Sequence, residues 1–150
     1  MWRPDTRVNK MKEYQISNLD IGEGLQKDED VEINSNNMIN NIAKEEDSAG
    51  MCFNYALNNY KLEFCEESGD FVRKNYNSIS FAKVKKGDIV TFRGDLDDHD
   101  IHFAIVERKN KLINDTIVSA KFGGLGIYEH RLGVTPTFYG DRILFWRKKK

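Results

Sequence analysis

Apolar residues are spread unevenly along this chain. Up to about residue 45 they are isolated among polar ones, with Asn9, Asn18, Asn34, Asn36, Asn37, Asn40 and Asn41 and the acidic stretch Asp28-Glu29-Asp30. Such a segment offers too little apolar surface to offset the entropy lost on ordering it. Residues 1–45 are therefore expected to form a polar, acidic, Asn-rich arm or linker with at most short helical pieces, and residues 46–150 the domain. From Glu45 the texture changes. Glu45-Glu46-Asp47-Ser48 reads as a helix start, with Asp47 or Ser48 able to cap free amides. Met51-Cys52-Phe53-Asn54-Tyr55-Ala56-Leu57 then supplies a buried helix ending near Asn58-Asn59, and a weaker helical stretch spans Leu62 to Lys74 with Gly69 interrupting it.

Beyond residue 75 the period becomes two. Strands are predicted over Ser78 to Val84, Asp88 to Phe92, Ile101 to Val106, Thr116 to Ala120, Ile127 to Leu132 and Arg142 to Trp146. Ile101-His102-Phe103-Ala104-Ile105-Val106 is apolar on both alternating faces, as a central strand covered on each side should be. Helices followed by five or six hairpin-connected strands make an α+β fold: a helix carrying Cys52 packed on an antiparallel sheet.

Composition narrows the function classes. The formal net charge of -1 combines six basic and eleven acidic side chains in residues 1–50, a balance of -5, with +4 in the remaining hundred. That balance gives no electrostatic reason to expect a nucleic-acid partner. No apolar run is long enough to span a membrane, so no membrane partner is expected either. Met1 to Lys12 lacks an apolar stretch, and the chain is expected to be cytoplasmic or exported without a cleaved signal peptide. Two cysteines are too few for a disulfide scaffold.

The chemistry centres on Cys52 at the helix start and His102 at the start of the central strand. A thiolate is the reactive form of cysteine, helix-terminal amides favour it, and an imidazole in an apolar strand needs a partner. A Cys on a helix and a His on a strand, with a third polar group orienting the ring, is the arrangement of thiol nucleophilic catalysis. The alternative for each is structural: a cysteine in an apolar helix is an ordinary small core residue.

Gly50-Met51-Cys52-Phe53-Asn54-Tyr55-Ala56-Leu57, Val84-Lys85-Lys86-Gly87-Asp88-Ile89-Val90-Thr91-Phe92 and Ile101-His102-Phe103-Ala104-Ile105-Val106, in that order, resemble the NlpC-type branch of papain-like cysteine peptidases and amidases in its unpermuted form. Ser119-Ala120-Lys121-Phe122-Gly123, His130 and Phe138-Tyr139-Gly140 resemble the ending of a poorly characterised subgroup. The resemblance covers roughly residues 45–148. It implies a cysteine hydrolase with Cys52 as nucleophile and His102 as base, acting on peptide, isopeptide or γ-glutamyl amide bonds, as a cell-wall peptidase or a delivered effector would. It nominates Ser119 or Lys121 as the third residue, with His130 as a rival. Met51 stands where the family carries Asp or Asn, and Ala120 where the subgroup carries Ser. These departures keep open a catalytically inactive binding module, and the lack of a signal segment keeps open an intracellular deamidase or transglutaminase. The implied partners are a peptide or protein substrate and a cognate inhibitor or immunity protein.

The remaining patterns carry less. Asp95 to Asp100 clusters carboxylates but lacks EF-hand spacing, so neither a metal nor a cofactor is expected. His99 is expected to be solvated, and Cys65 to be a core filler. Gly123-Gly124-Leu125-Gly126 is expected to shape a turn, and the basic tail from Arg147 to Lys150 to be solvated.

Overall fold

The computed structural model describes residues 12–16, 38–41, 50–122 and 126–150. The expected cap at Asp47 or Ser48, the acidic stretch at 28–30 and the glycines at 123 and 124 lie outside the described residues. The elements in chain order are β1 (Tyr14–Gln15), β2 (Met38–Asn41), α1 (Cys52–Leu57), α2 (Cys65–Asn75), β3 (Tyr76–Ile79), β4 (Ile89–Arg93), β5 (His102–Arg108), β6 (Ile117–Lys121), β7 (Ile127–Arg131) and β8 (Arg142–Lys148). The fold is α+β, and every strand pairing is antiparallel.

The sheet runs β1-β8-β4-β5-β6-β7-β2, with β3 also pairing β8. β8 is long enough to take β1 along its first residues and β3 along its last, opposite β4. Among the described residues there are thus eight strands where five or six were expected. The difference lies partly in the arm, since Tyr14–Gln15 extends one edge and Met38–Asn41 the other, and Ile16 is buried in the core. Short strands borrow their stability from the edge they pair with, so a polar sequence around them does not reveal them. The stretch from Ser78 to Val84 is a strand only to Ile79, with a 3-10 turn at Phe81–Lys83.

Each face of the sheet is covered, which explains the doubly apolar strands. Val90, Phe92, Ala104, Val106, Val118, Ala120, Phe122, Ile143 and Phe145 point into one core with Ile16, Val84 and Leu132. Ile89, Phe103, Leu144 and Trp146 point into the other, against Phe53, Ala56 and Leu57 of α1 and Val72 of α2. Burying an aromatic such as Phe103 contributes roughly 2–3 kcal/mol.

Three polar devices hold the helices and turns. Asn54 is buried, yet each of its polar atoms is paired: Oδ1 accepts from the Met51 amide at 2.7 Å, while Nδ2 donates to the carbonyls of Asn59 and Leu62, each at 2.9 Å. Asn58 ends α1 in the left-handed conformation, φ 51°. Gly69 does not interrupt α2. It lets the helix approach Asp100, whose Oδ2 would lie 3.0 Å from an added Cβ. Asp88 accepts from Arg147 Nε and Nη2 at 2.9 and 2.7 Å and from the Lys85 amide at 2.8 Å, so Arg147 is an ion-pair partner and not part of a solvated tail.

Gly140 supports a stability prediction. Its φ is +92°, and an added Cβ would collide with the Arg93 carbonyl carbon and lie 2.6 Å from the Gly94 nitrogen, both backbone atoms. Gly87 has a similar φ of +97° but open space around it. Gly87→Ala is expected to cost about 1–2 kcal/mol from conformation alone. Gly140→Ala should cost roughly 3 kcal/mol or more, because backbone must also move. Urea unfolding of both variants measures the gap; equal costs would contradict the close approach.

Candidate functional site

Cys52 is the first residue of α1 and Cys65 the first of α2, both partly buried against the core that contains Phe103. The six residues of α1 are too few for a strong dipole, so the surroundings of Cys52 rest on individual contacts. Its sulfur accepts from the backbone amides of Phe103 and Phe53, and its side-chain partner is the thiol of Cys65. Cys65 Sγ in turn lies 3.6 Å from the Ile101 carbonyl oxygen, to which it donates. The hydrogen bond to Cys65, then burial, then the Cys65 charge push the Cys52 thiol well above its ordinary value, against the pull of the two amides. Cys65 moves the opposite way, to about 7, chiefly because the Cys52 thiol donates to it, helped by the nearby His99 charge. The pair gives up its first proton readily and holds the second.

His102 belongs to the other face. It is fully buried, its ring 4.0 Å from Tyr139, 5.0 Å from Phe92 and 5.6 Å from Phe122, centroid to centroid. Neither ring nitrogen has a hydrogen-bond partner among the described residues, the Cys52 thiol included. Burial, reinforced by His130, lowers its pKa to about 3, so the ring is neutral. Successive side chains of a strand point to opposite faces. The Cys52 sulfur sits at the Phe103 amide on the helix side, and His102 points away from that side. The expected thiol–imidazole hydrogen bond is therefore not formed.

The third-residue candidates divide in the same way. Ser119 shares the helix face, where its hydroxyl accepts from Tyr55 Oη at 2.8 Å and donates to Glu107 Oε2 at 2.7 Å. That chain ties α1 to β6 and β5. Lys121 is also fully buried. His130 is buried on the His102 face, Nδ1 donating to the Arg131 carbonyl at 2.8 Å and Nε2 unpaired. Burial lowers its pKa to about 4. Phe122 lies against both imidazoles, 5.5 Å from His130. Neither Ser119 nor His130 orients His102 by a hydrogen bond.

The β5–β6 ladder begins at Ile105↔Ser119, so the rung of Phe103 is open on its β6 side. The thiol pair occupies that end of β5. Tyr139, stacked on His102, has its hydroxyl pKa raised by burial and, to a lesser extent, by the charges of Cys52 and Cys65. Tyr139 thus stacks on His102 and lies within electrostatic range of both thiols.

Sequence reasoning missed two features. Cys65, expected as filler, partners Cys52; its signal was the helix start announced by Glu66 and Glu67 in the first turn of α2. Asp100, read only as the end of an acidic loop, is fully buried and accepts from Arg73 Nη1 at 2.7 Å and Arg93 Nη2 at 3.4 Å. His99 is partly exposed and paired with Asp98 at 3.0 Å. Among the described residues no group of three or more His, Cys, Asp or Glu could hold a metal ion, and no helix is long and apolar enough to cross a membrane. No family model, curated protein or solved structure matches the chain.

The buried imidazoles make stability pH-dependent. Both folded pKa values lie below the ordinary 6.5, at about 3 and about 4. The unfolded chain therefore binds more protons below pH 6.5, and this contribution, complete above 6.5, is lost as pH falls toward the folded values. Each histidine contributes a slope of up to about 1.4 kcal/mol per pH unit. Urea midpoints between pH 7.5 and 5 should fall, and His102→Phe should remove about half of that dependence. An unchanged slope would show that His102 is not buried and neutral.

Proposed function

We propose that the chain is a cysteine hydrolase of the papain-like, NlpC type, acting on amide bonds, and that the thiol and imidazole are held here in a closed, unjoined arrangement. One observation carries the reading. Two backbone amides converge on Cys52, while an imidazole with both nitrogens unpaired is buried at His102, next in sequence to the Phe103 that supplies one of those amides. Leaving buried polar groups unpaired costs roughly 1–3 kcal/mol each, so a packing role alone gives no reason for histidine at this position. Because the two groups lie on opposite faces of β5, they meet only if the start of that strand, unpaired with β6 at the Phe103 rung, changes its backbone path and Tyr139 leaves the ring.

In the working arrangement His102 takes the Cys52 proton, the thiolate attacks the amide carbonyl, and the imidazolium protonates the leaving amine. Water then releases the acyl group from sulfur. The Phe53 and Phe103 amides, which stabilise negative charge on sulfur here, are the nearest donors for the developing oxyanion. Peptidoglycan stem peptides, γ-glutamyl amides and isopeptides are the substrate classes that follow from the resemblance, and deamidation of a protein glutamine uses the same chemistry.

A catalytically inactive binding module is the second reading, and the absence of a Cys52–His102 hydrogen bond favours it. Amine release from synthetic γ-glutamyl and isopeptide substrates separates the two. A hydrolase should lose at least about 100-fold in rate in Cys52→Ala, and in both His102→Ala and His102→Gln, the second of which preserves volume. Circular dichroism verifies folding. Iodoacetamide labelling of Cys52 should slow in the His102 variants. Turnover that ignores all three substitutions, or no turnover together with labelling indifferent to His102, would leave the binding module.

A further inference from the structure

We propose that Cys52 and Cys65 form a reversible disulfide, making the start of β5 a thiol oxidation site. The two residues open successive helices, and their sulfurs dock on the same short stretch of strand: Cys65 on the Ile101 carbonyl at 3.6 Å, Cys52 on the Phe103 amide. Residues two apart on a strand are separated by less than about 7 Å, so both sulfurs are confined to one small region. Both cysteines also pack against the same core cluster, and each thiol is the other's side-chain hydrogen-bond partner, which places the sulfurs side by side as a disulfide requires. Both cysteines are free in the structure.

The two thiols are unequal in the way thiol exchange requires. Cys65 is held near neutrality by the Cys52 hydrogen bond and the His99 charge, which makes it the entering nucleophile. Cys52, enclosed against Phe53 and Phe103, is the resolving thiol. The oxidant is a low-molecular-weight disulfide. Cys65 thiolate attacks one of its sulfurs, the S–S bond breaks and one small thiolate leaves, giving a mixed disulfide on Cys65. Cys52 then loses its proton to solvent and attacks Cys65 Sγ, expelling the second small thiol. Two protein thiols are oxidised and one small disulfide is reduced to two thiols. The reverse exchange with a dithiol restores both cysteines. The inference does not depend on hydrolase activity, although oxidation would withdraw the proposed nucleophile.

Equilibration of the full chain in oxidised and reduced glutathione, followed by acid quenching, maleimide trapping and peptide mapping, tests it. The expected result is a monomer that has lost two hydrogens, reacts with no maleimide, and yields a cross-linked peptide joining Cys52 to Cys65, all reversed by dithiothreitol. In Cys52→Ser, which removes the resolving thiol, glutathione should remain on Cys65. Cys65→Ser should take up glutathione at least about tenfold more slowly than wild type, since its remaining thiol is the enclosed one. Two free thiols at every ratio, stable glutathione adducts on both residues of the wild-type chain, or disulfide-linked dimers would each overturn the proposal. The wild-type mapping alone decides, even should a variant fail to fold. Amide hydrolysis is not a readout, so failure of the disulfide and failure of the hydrolase reading are separate results.

Discussion

The two-sided burial of β5 is the constraint on which the rest depends. Phe103 and Ile105 face the helices, while His102, Ala104 and Val106 face the opposite core. Each residue's side is set by its parity, and a rotamer change cannot carry a side chain through the strand. Once Phe103 is packed edge-on against Phe53 at 6.2 Å, α1 is placed, Cys52 is brought to the Phe103 amide, and His102 is committed to the aromatic cage of Phe92, Phe122 and Tyr139. The separation of thiol from imidazole is thus a consequence of the core.

The polar groups around this frame mostly fasten it. Asn54 joins the start of α1 to the segment leading into α2, the Tyr55–Ser119–Glu107 chain pins α1 across two strands, and Asp100 is held by Arg73 of α2 and Arg93 of β4. A buried carboxylate with two guanidinium partners contributes less net stability than its short distances suggest, because desolvation offsets the attraction. Its effect is positional. The loop before β5 is drawn inward, which sets where residues 101 to 103 begin and therefore where both sulfurs dock. Trp146, whose indole donates to Thr91 at 2.9 Å and lies under Arg73, extends the same bracing to β8.

The α+β class and the strands from residue 89 onward were legible in the sequence because period-two patterns and turn residues are local signals. The doubly apolar stretch at 101–106 likewise announced a central strand. That same feature hid the site. With both faces apolar, nothing in the sequence says which parity meets the helix, so neither the residue types of Cys52 and His102 nor the resemblance could tell that they face opposite sides. Gly69 misled through propensity, since its cost in a helix is about 1 kcal/mol while the approach it permits to Asp100 is a tertiary matter. The strands at Tyr14–Gln15 and Met38–Asn41 were illegible for another reason: two to four residues within a polar stretch form a strand only where an existing edge supplies the partner.

A comparison between the two buried histidines bears on why this position carries an imidazole at all. His130 uses one nitrogen on the Arg131 carbonyl, which fixes its tautomer and leaves a single unpaired acceptor. His102 uses neither, and aromatic rings lie within 5.6 Å on three sides. Phenylalanine would fill that cage without stranding two polar atoms, each of which costs about as much as a lost hydrogen bond. Packing therefore explains the cage but not its occupant. The position thus carries a polar cost that burial does not offset, at a ring stacked on Tyr139, whose own hydroxyl is held protonated chiefly by burial.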